Sequence, residues 1–502
     1  MKKKILLIVG LLGMVLIWQA SLAKPVAADD KISIVTSFYP VYEFTKAVVG
    51  DKANVSYLIK AGTEPHDFEP STKNITSISD ADVFVYMDDS METWVNSVKK
   101  SVNSKNLTVI KASGDMLLIA GTSDEENGSA NHSHAYDPHV WLSPKRAVIL
   151  VENIRDAMIA KYPDMKDTFT ANAATYIEKL KVLDADYTSA LSNVKQKSFV
   201  TQHAAFGYLA LDYGLTQIPI TGVAAETEPT SKRLASLAKY IKKYAVKYIY
   251  FENNASSKVA DVLANEANVK TAVLNPLEGL NSKEIKAGED YFSVMRTNLA
   301  ALKLTTDVKG KTIKAESDST KTTANGYFKN KNVSDRALTD WFGKWQSVYP
   351  YLADGTLDNV WQYKSLASQG GMTAEEYKSY YTTGYKTDVN QITIGDKKNT
   401  ITFEQNGEKH QYTYKYDGYK ILTYKKGNRG VRYLFKTDDK NAGQFKYVQF
   451  SDHNISKTDA DHFHIFWGGD SQDTLLKEMD NWPTYYPSGL TGQQIAQKIV
   501  AH

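Results

Sequence analysis

Two α/β lobes joined by a long helix, followed by an antiparallel β domain, is the fold class this sequence predicts. Three observations carry it. Between Lys31 and about Leu304, short apolar runs alternate with helical patterns, and the alternation occurs twice. A long helical stretch with no strand separates the two copies. Beyond a polar segment, the periodicity switches to strict alternation of polar and apolar residues.

The elements follow in order. "KISIVTSF" reads as a strand and "VYEFTKAVVG" as the helix after it; "VSYLIK", "ADVFVYM" and "LTVIKA" read as buried strands. Buried strands alternating with helices indicate a parallel sheet with helices on both faces. This first lobe spans about residues 31–162. "MKDTFTANAATYIEKLKVLDADYTSALSNV" is the connecting helix. The second lobe, about 194–304, begins with the strand "KSFVTQH" and the helix "AAFGYLALDYG". "SKRLASLAKYIKKY" follows as a helix, "VKYIYFE" as a strand, "SKVADVLANEAN" as a helix and "VKTAVLN" as a strand. Residues 305–325 are rich in Lys and Thr and lack apolar periodicity, which marks a linker. Residues 326–502 contain "NQITIGDKKNTITFEQNGEKHQYTYKYDGYKILTYKKGNRGVRYLF", with Asn406-Gly407, Asp417-Gly418 and Gly427-Asn428 as turn signals. A small antiparallel barrel or sandwich fits this pattern.

A length of 502 residues sets an expectation of roughly two to four domains. The N-terminus reads as an export signal: basic "MKKK", an apolar core, then small residues up to a cleavage site after Ala28. An uncleaved signal anchor is the alternative. Cleavage removes four lysines and no acids, taking the formal charge from +3 to −1, so no basic field argues for nucleic acid. There is no cysteine, so disulfides and thiolate ligands are excluded, and any transition-metal site must use imidazole and carboxylate.

Ligands of open α/β sheets bind beyond the carboxyl ends of the strands. Four residues of ligand type fall in such places: His66 in "AGTEPHDFEP", His139 in "DPHVWLSP", His203 closing "KSFVTQH", and Glu278 in "NPLEGL". Two belong to each lobe, and lobes that face each other would bring all four into a cleft. Three imidazoles and one carboxylate suit tetrahedral Zn(II), although affinity order alone admits Cu(II) or Ni(II). Taken singly, each residue reads equally well as structural or solvated. In the tail, "FSDHNISKTDADHFHIFWGG" holds His453, His462 and His464. The last two, two apart on a strand, share a face, and three imidazoles could hold a zinc with one position open. Histidines lining a barrel interior are the alternative.

The stretches "TSFYPVYEFTKAVVG", "AGTEPHDFEPS", "DPHVWLSP", "VTQHAAFGYLALDYG" and "VLNPLEGL" resemble the motifs of metal-binding solute-binding proteins of ABC transporters, in the zinc and manganese cluster. The tail stretches "GKWQSVYPYL", "YKKGNRGVRYLF", "KYVQFSDHN", "HFHIFWGG" and "NWPTYYP" resemble the ZinT family of zinc-trafficking proteins, which are calycin-like barrels. The resemblance implies two lobes around a rigid helix, with Zn(II) held by His66, His139, His203 and Glu278. It implies a second zinc at His453, His462 and His464. It also implies a histidine-rich loop near the cleft, here short and holding His132 and His134. The expected function is extracellular capture of zinc and its delivery to a membrane permease, by a protein acting as a monomer. Four protein ligands leave no position for a reactive water, so binding is expected rather than catalysis. The tail is expected to raise the local zinc concentration through the linker. A manganese or broader divalent-metal binder, a metal-dependent adhesin and a secreted zinc hydrolase are the competing readings; the last lacks an H-E-x-x-H motif. Gram-positive relatives usually carry an acylated lipobox cysteine, and its absence leads to the expectation of a chain without a lipid anchor, secreted or held at the cell surface.

Overall fold

The computed structural model describes residues 31–501 except 61–62, 103–105, 122–135, 221–230, 253–257, 312–322, 324, 369, 396–398 and 425–426. The signal segment 1–28, His132, His134 and most of the expected linker lie outside the described residues. Two compact units divide the chain. The first comprises residues 1–112 and 151–176, the second residues 113–150 and 177–502. Among the described residues no helix is long and apolar enough to cross a membrane.

The first unit is built on a parallel four-stranded sheet. Its strands are β1 (Ile32–Thr36), β2 (Ala53–Tyr57), β3 (Val83–Tyr86) and β4 (Thr108–Lys111), in the order β2-β1-β3-β4. All four residues of β3 are buried, as a strand covered on both faces requires. The helix Tyr39–Val49 starts with a proline in its first turn and ends at Gly50, whose φ of 58° only glycine adopts at little cost.

The second unit carries two sheets. One repeats the parallel architecture: β5 (Ser198–Thr201), β6 (Thr216–Pro219), β7 (Tyr248–Phe251) and β8 (Lys270–Val273), in the order β6-β5-β7-β8. Strand β6 and the helix Pro144–Lys161 have no counterpart in the sequence reading. The helix Lys166–Leu191 lies between the two α/β sheets in the chain; its 26 residues span about 39 Å.

The other sheet is antiparallel and has nine strands: β9 (Gly343–Ser347), β10 (Val389–Ile394), β11 (Thr400–Gln405), β12 (Glu408–Thr413), β13 (Lys415–Thr423), β14 (Arg429–Lys436), β15 (Tyr447–Ser451), β16 (Phe463–Gly468) and β17 (Thr484–Pro487). Their order is β12-β11-β10-β9-β17-β16-β15-β14-β13. This curled sheet is the expected calycin-like barrel. Trp341, Phe403, Tyr433, Phe435, Phe450 and Phe463 are buried in its core. Asn406 and Gly407, at φ 53° and 83°, make the two-residue turn between β11 and β12. Asp417-Gly418 makes no turn: it lies inside β13, where the register against β14 shifts between Tyr416 and Tyr419. A dipeptide that favours positive φ serves a bulge as well as a hairpin. Among the described residues, helices Tyr349–Ala353, Asp358–Ala367, Ala374–Tyr385, Gln472–Leu475 and Gly492–Ala501 belong to the same module.

Candidate metal centres

In the second unit, three of the residues singled out from the sequence converge. His203 lies two residues past β5, with its backbone carbonyl held by Thr201 Oγ1 and Gln217 Nε2, each at 2.8 Å. Glu278 lies past β8, in a loop pinned by Asn298, whose side chain accepts from Asn275 N at 2.9 Å and donates to Asn275 O at 2.7 Å. Trp141 Nε1 donates to Pro276 O at 2.8 Å, tying this loop to the His139 segment. His139 precedes the short 3-10 turn Val140–Leu142 and is wholly buried.

The distances among their converging atoms are those of a metal polyhedron. His139 Nε2 is 3.5 Å from His203 Nε2 and 3.4 Å from Glu278 Oε1, and His203 Nε2 is 3.7 Å from the same oxygen. A tetrahedron with zinc–ligand arms of about 2.0–2.1 Å has edges of about 3.3 Å.

Both imidazoles are oriented from behind by acids. Asp137 Oδ1 accepts from the His139 backbone N–H at 2.9 Å and faces His139 Nδ1 at 2.8 Å. Glu252, one residue past β7, holds His203 Nδ1. A proton kept on Nδ1 selects the tautomer in which Nε2 can take a metal. Burial pushes the His139 imidazolium down, but Asp137 and Glu278 more than reverse this and bring its pKa up to about 9 in the metal-free protein. Neither acid was singled out from the sequence. The rule that sites gather past strand ends would have found Glu252, which closes the strand "VKYIYFE".

His66 stands in the first unit, partly buried, in the loop after β2. Phe68 packs edge-on against Trp94 with ring centroids 5.8 Å apart. Ser71 and Asn74 form a reciprocal capping box on the next helix, Thr72–Ser79. These contacts fix the chain on the C-terminal side of His66.

The tail histidines also converge. His453, His462 and His464 each offer a ring nitrogen within 4.8 Å of the others, and the Nε2 atoms of His453 and His464 are 3.3 Å apart. Thr484 Oγ1 donates to Trp482 O at 3.0 Å, so it accepts from His464 Nδ1 at 2.7 Å and turns Nε2 toward His453. His462 stacks on Tyr486 at 5.1 Å. His453 takes a φ of 64°, uncommon for a residue with a side chain. Its neighbour Asp452 is buried and paired with Arg336 at 2.6 Å, which fixes the chain at that point. These histidines are exposed or half-buried, not barrel-interior residues.

Comparison with known proteins bears on both sites. The family described as "Zinc-uptake complex component A periplasmic" (ZnuA) matches residues 34–304. The family described as "ZinT (YodA) periplasmic lipocalin-like zinc-recruitment" matches residues 319–502. The zinc-binding protein AdcA of Streptococcus pyogenes serotype M6 is 62% identical over the full length of both chains. The chain belongs to the AdcA family of zinc-binding proteins. The crystal structure of Zn(II)-bound AdcA from Streptococcus pneumoniae superposes with a TM-score of 0.83 at 59% identity, covering 94% of this chain and all of that one. These AdcA relatives are named for zinc binding, not for an enzymatic activity.

One expectation is overturned. The AdcA of Streptococcus pneumoniae strain R6, 57% identical over the full length of both chains, is named a zinc-binding lipoprotein. Surface anchoring as a lipoprotein therefore occurs within this family at close range, against the expectation of a chain without a lipid anchor. Cysteine content speaks to one attachment chemistry only, and it was too narrow a basis for that expectation.

Proposed function

We propose that this chain captures Zn(II) and delivers it to the membrane permease of an ABC transporter, with a second zinc site in its tail. His139, His203 and Glu278, joined by His66 from the first unit, are the ligands of the transported ion. His453, His462 and His464 are the ligands of the second. Residues 31–304 act as the solute-binding module, residues 326–502 as the ZinT-like module, and 305–325 as the linker.

The observation that carries this reading is the meeting of two Nε2 atoms and a carboxylate oxygen at 3.4–3.7 Å, each imidazole backed by an acid. Fixed tautomers and matched spacing remove most of the reorganisation a metal would otherwise impose. Zinc bound by four protein ligands is closed to substrate water, which suits a carrier.

The test is zinc titration calorimetry of the metal-stripped chain beside the His203→Ala and His464→Ala variants. Two sites, one lost in each variant, are expected. A single site lost only with His203→Ala would reduce the tail to a structural barrel, and no binding at all would end the reading.

A further inference from the structure

The barrel module is fastened to the segment that carries His139. Leu117 is buried in one apolar core with Leu352, Trp361, Tyr486 and Ile495 of the barrel module. Gln497, on the last helix, grips the backbone of Leu118 at both ends: its Oε1 accepts from Leu118 N and its Nε2 donates to Leu118 O, each at 2.7 Å. Tyr363 Oη donates to Leu117 O and accepts from Arg146 Nη1.

The next residues lead to the metal centre. Ile119 O accepts from Asp137 N at 3.0 Å, and Ile119 N donates to Tyr208 Oη at 3.0 Å. Tyr208 Oη in turn donates to Asp137 O at 2.7 Å. Arg146 lies over the rings of both Tyr208 and Tyr363, at 4.6 and 4.7 Å, and forms a two-point ion pair with Asp212 at 2.8 Å. Asp137 is the acid that orients His139. A continuous set of contacts, partly buried at Gln497, Tyr363 and Ile119, therefore runs from Gln497 and Tyr363 through Leu117–Ile119 to Asp137. Tyr486, which shares the core with Leu117, also backs His462 of the tail cluster.

We infer that the docked barrel braces the His139 ligand, with Tyr363 and Gln497 as positioning residues that slow zinc release from the upstream site. This rests on the reading of His139 as a zinc ligand. It differs from a tethered reservoir, in which the tail would act only by proximity.

The backbone pairing and the buried phenol give the brace its stiffness. A segment held on one edge by Gln497 and Tyr363, and on the other by Tyr208, has little freedom to carry Asp137 away from His139. Losing one edge lets the acid and its imidazole move together, and the metal polyhedron opens more often.

The experiment uses the full chain with His464→Ala, so that only upstream zinc is read. Zinc release to excess chelator is followed in this background and with Tyr363→Phe, Gln497→Ala or both added. Release is expected to quicken roughly three- to tenfold in each single variant and further in the double, one shell beyond residues whose loss costs about 10–100-fold. Release in all three variants within a factor of about two of the parent overturns the brace. Tyr363→Phe removes one oxygen and keeps the ring, so it reads independently of any folding defect in the double variant. A parent that binds no zinc would instead overturn the proposed function, a different result from zinc bound and released at one rate.

Discussion

The upstream cluster and the tail cluster present the same ligand chemistry in opposite surroundings. His139 and His203 are buried, and each has a carboxylate behind its Nδ1. The tail histidines are exposed or half-buried, and His464 has only a threonine hydroxyl behind it, with His462 leaning on a tyrosine ring. A carboxylate behind an imidazole raises its basicity and strengthens its bond to a metal; a neutral hydroxyl fixes orientation alone. The comparison teaches that tautomer and charge are set separately here. The upstream pair and His464 each have an Nδ1 acceptor that fixes the tautomer, and only the upstream acceptors add charge. A tight upstream site and a faster-exchanging tail site follow from that difference.

Removing a ligand is the largest perturbation. His139→Ala should abolish upstream zinc binding and leave the tail site's affinity unchanged, read by calorimetry on the full chain. A tail affinity that fell in parallel would show that the two sites do not load independently, and the contrast between them would collapse into one coupled unit.

The second effect isolates burial from pairing. Glu92 is as buried as the upstream acids, but its carboxylate is held by the backbone N–H groups of Met87 and Asp88, at 2.9 and 3.0 Å. Desolvation dominates and pushes its pKa up from 4.5 to about 7. The folded state thus holds a proton that the unfolded state has lost between pH 4.5 and 7. Stability from this group is intact below that window, falls as pH rises through it, and levels off above. The shift corresponds to about 3 kcal/mol. Denaturant unfolding of the metal-free chain at pH 5 and pH 8 should show this loss in the parent and a smaller one in Glu92→Gln. Equal losses in both would mean that backbone donors already keep the acid charged.

The third prediction acts on the bracing acids. Glu252→Gln keeps an acceptor for His203 Nδ1 and removes the charge. Upstream zinc affinity in the His464→Ala background should fall about 10–100-fold with stoichiometry unchanged. A loss below about threefold would leave orientation as the acid's whole contribution and erase the distinction drawn between the clusters.

These acids also mark the limit of what the sequence made legible. A strand such as β3 could be read because burial on both faces leaves a continuous apolar run. Strand β6 could not, because "TQIP" offers one buried apolar residue, Ile218, before Pro219. The flanking helix Ala374–Tyr385 was hidden by its tyrosines: Tyr381 and Tyr385 pack on Trp482, about a hundred residues away in the chain, and only that contact makes their spacing a buried face. The same holds at the site. The histidines and Glu278 stood out because their side chains are of ligand type and sit past strands. Glu252 also sits at a strand end, but nothing in the sequence pairs it with His203, 49 residues away in the chain. Residues that touch a metal are chosen by chemistry a sequence displays, and residues that orient them are chosen by proximity, which only the fold creates.

The smallest expected effect tests the tail's neutral brace. Thr484→Val conserves shape and removes both the acceptor for His464 Nδ1 and the donor to Trp482 O. The ring edge of Trp482, 5.5 Å from His464, and the stack of His462 on Tyr486 remain to hold the rings. With orientation partly retained and no charge to lose, tail zinc affinity in the His203→Ala background should weaken about three- to tenfold, less than Glu252→Gln costs upstream. Thr484→Ser, which keeps the hydroxyl, should restore most of it. A larger loss in Thr484→Val than in Glu252→Gln would invert the ranking. Tautomer control, not stored charge, would then be what makes an imidazole a good zinc ligand in this protein.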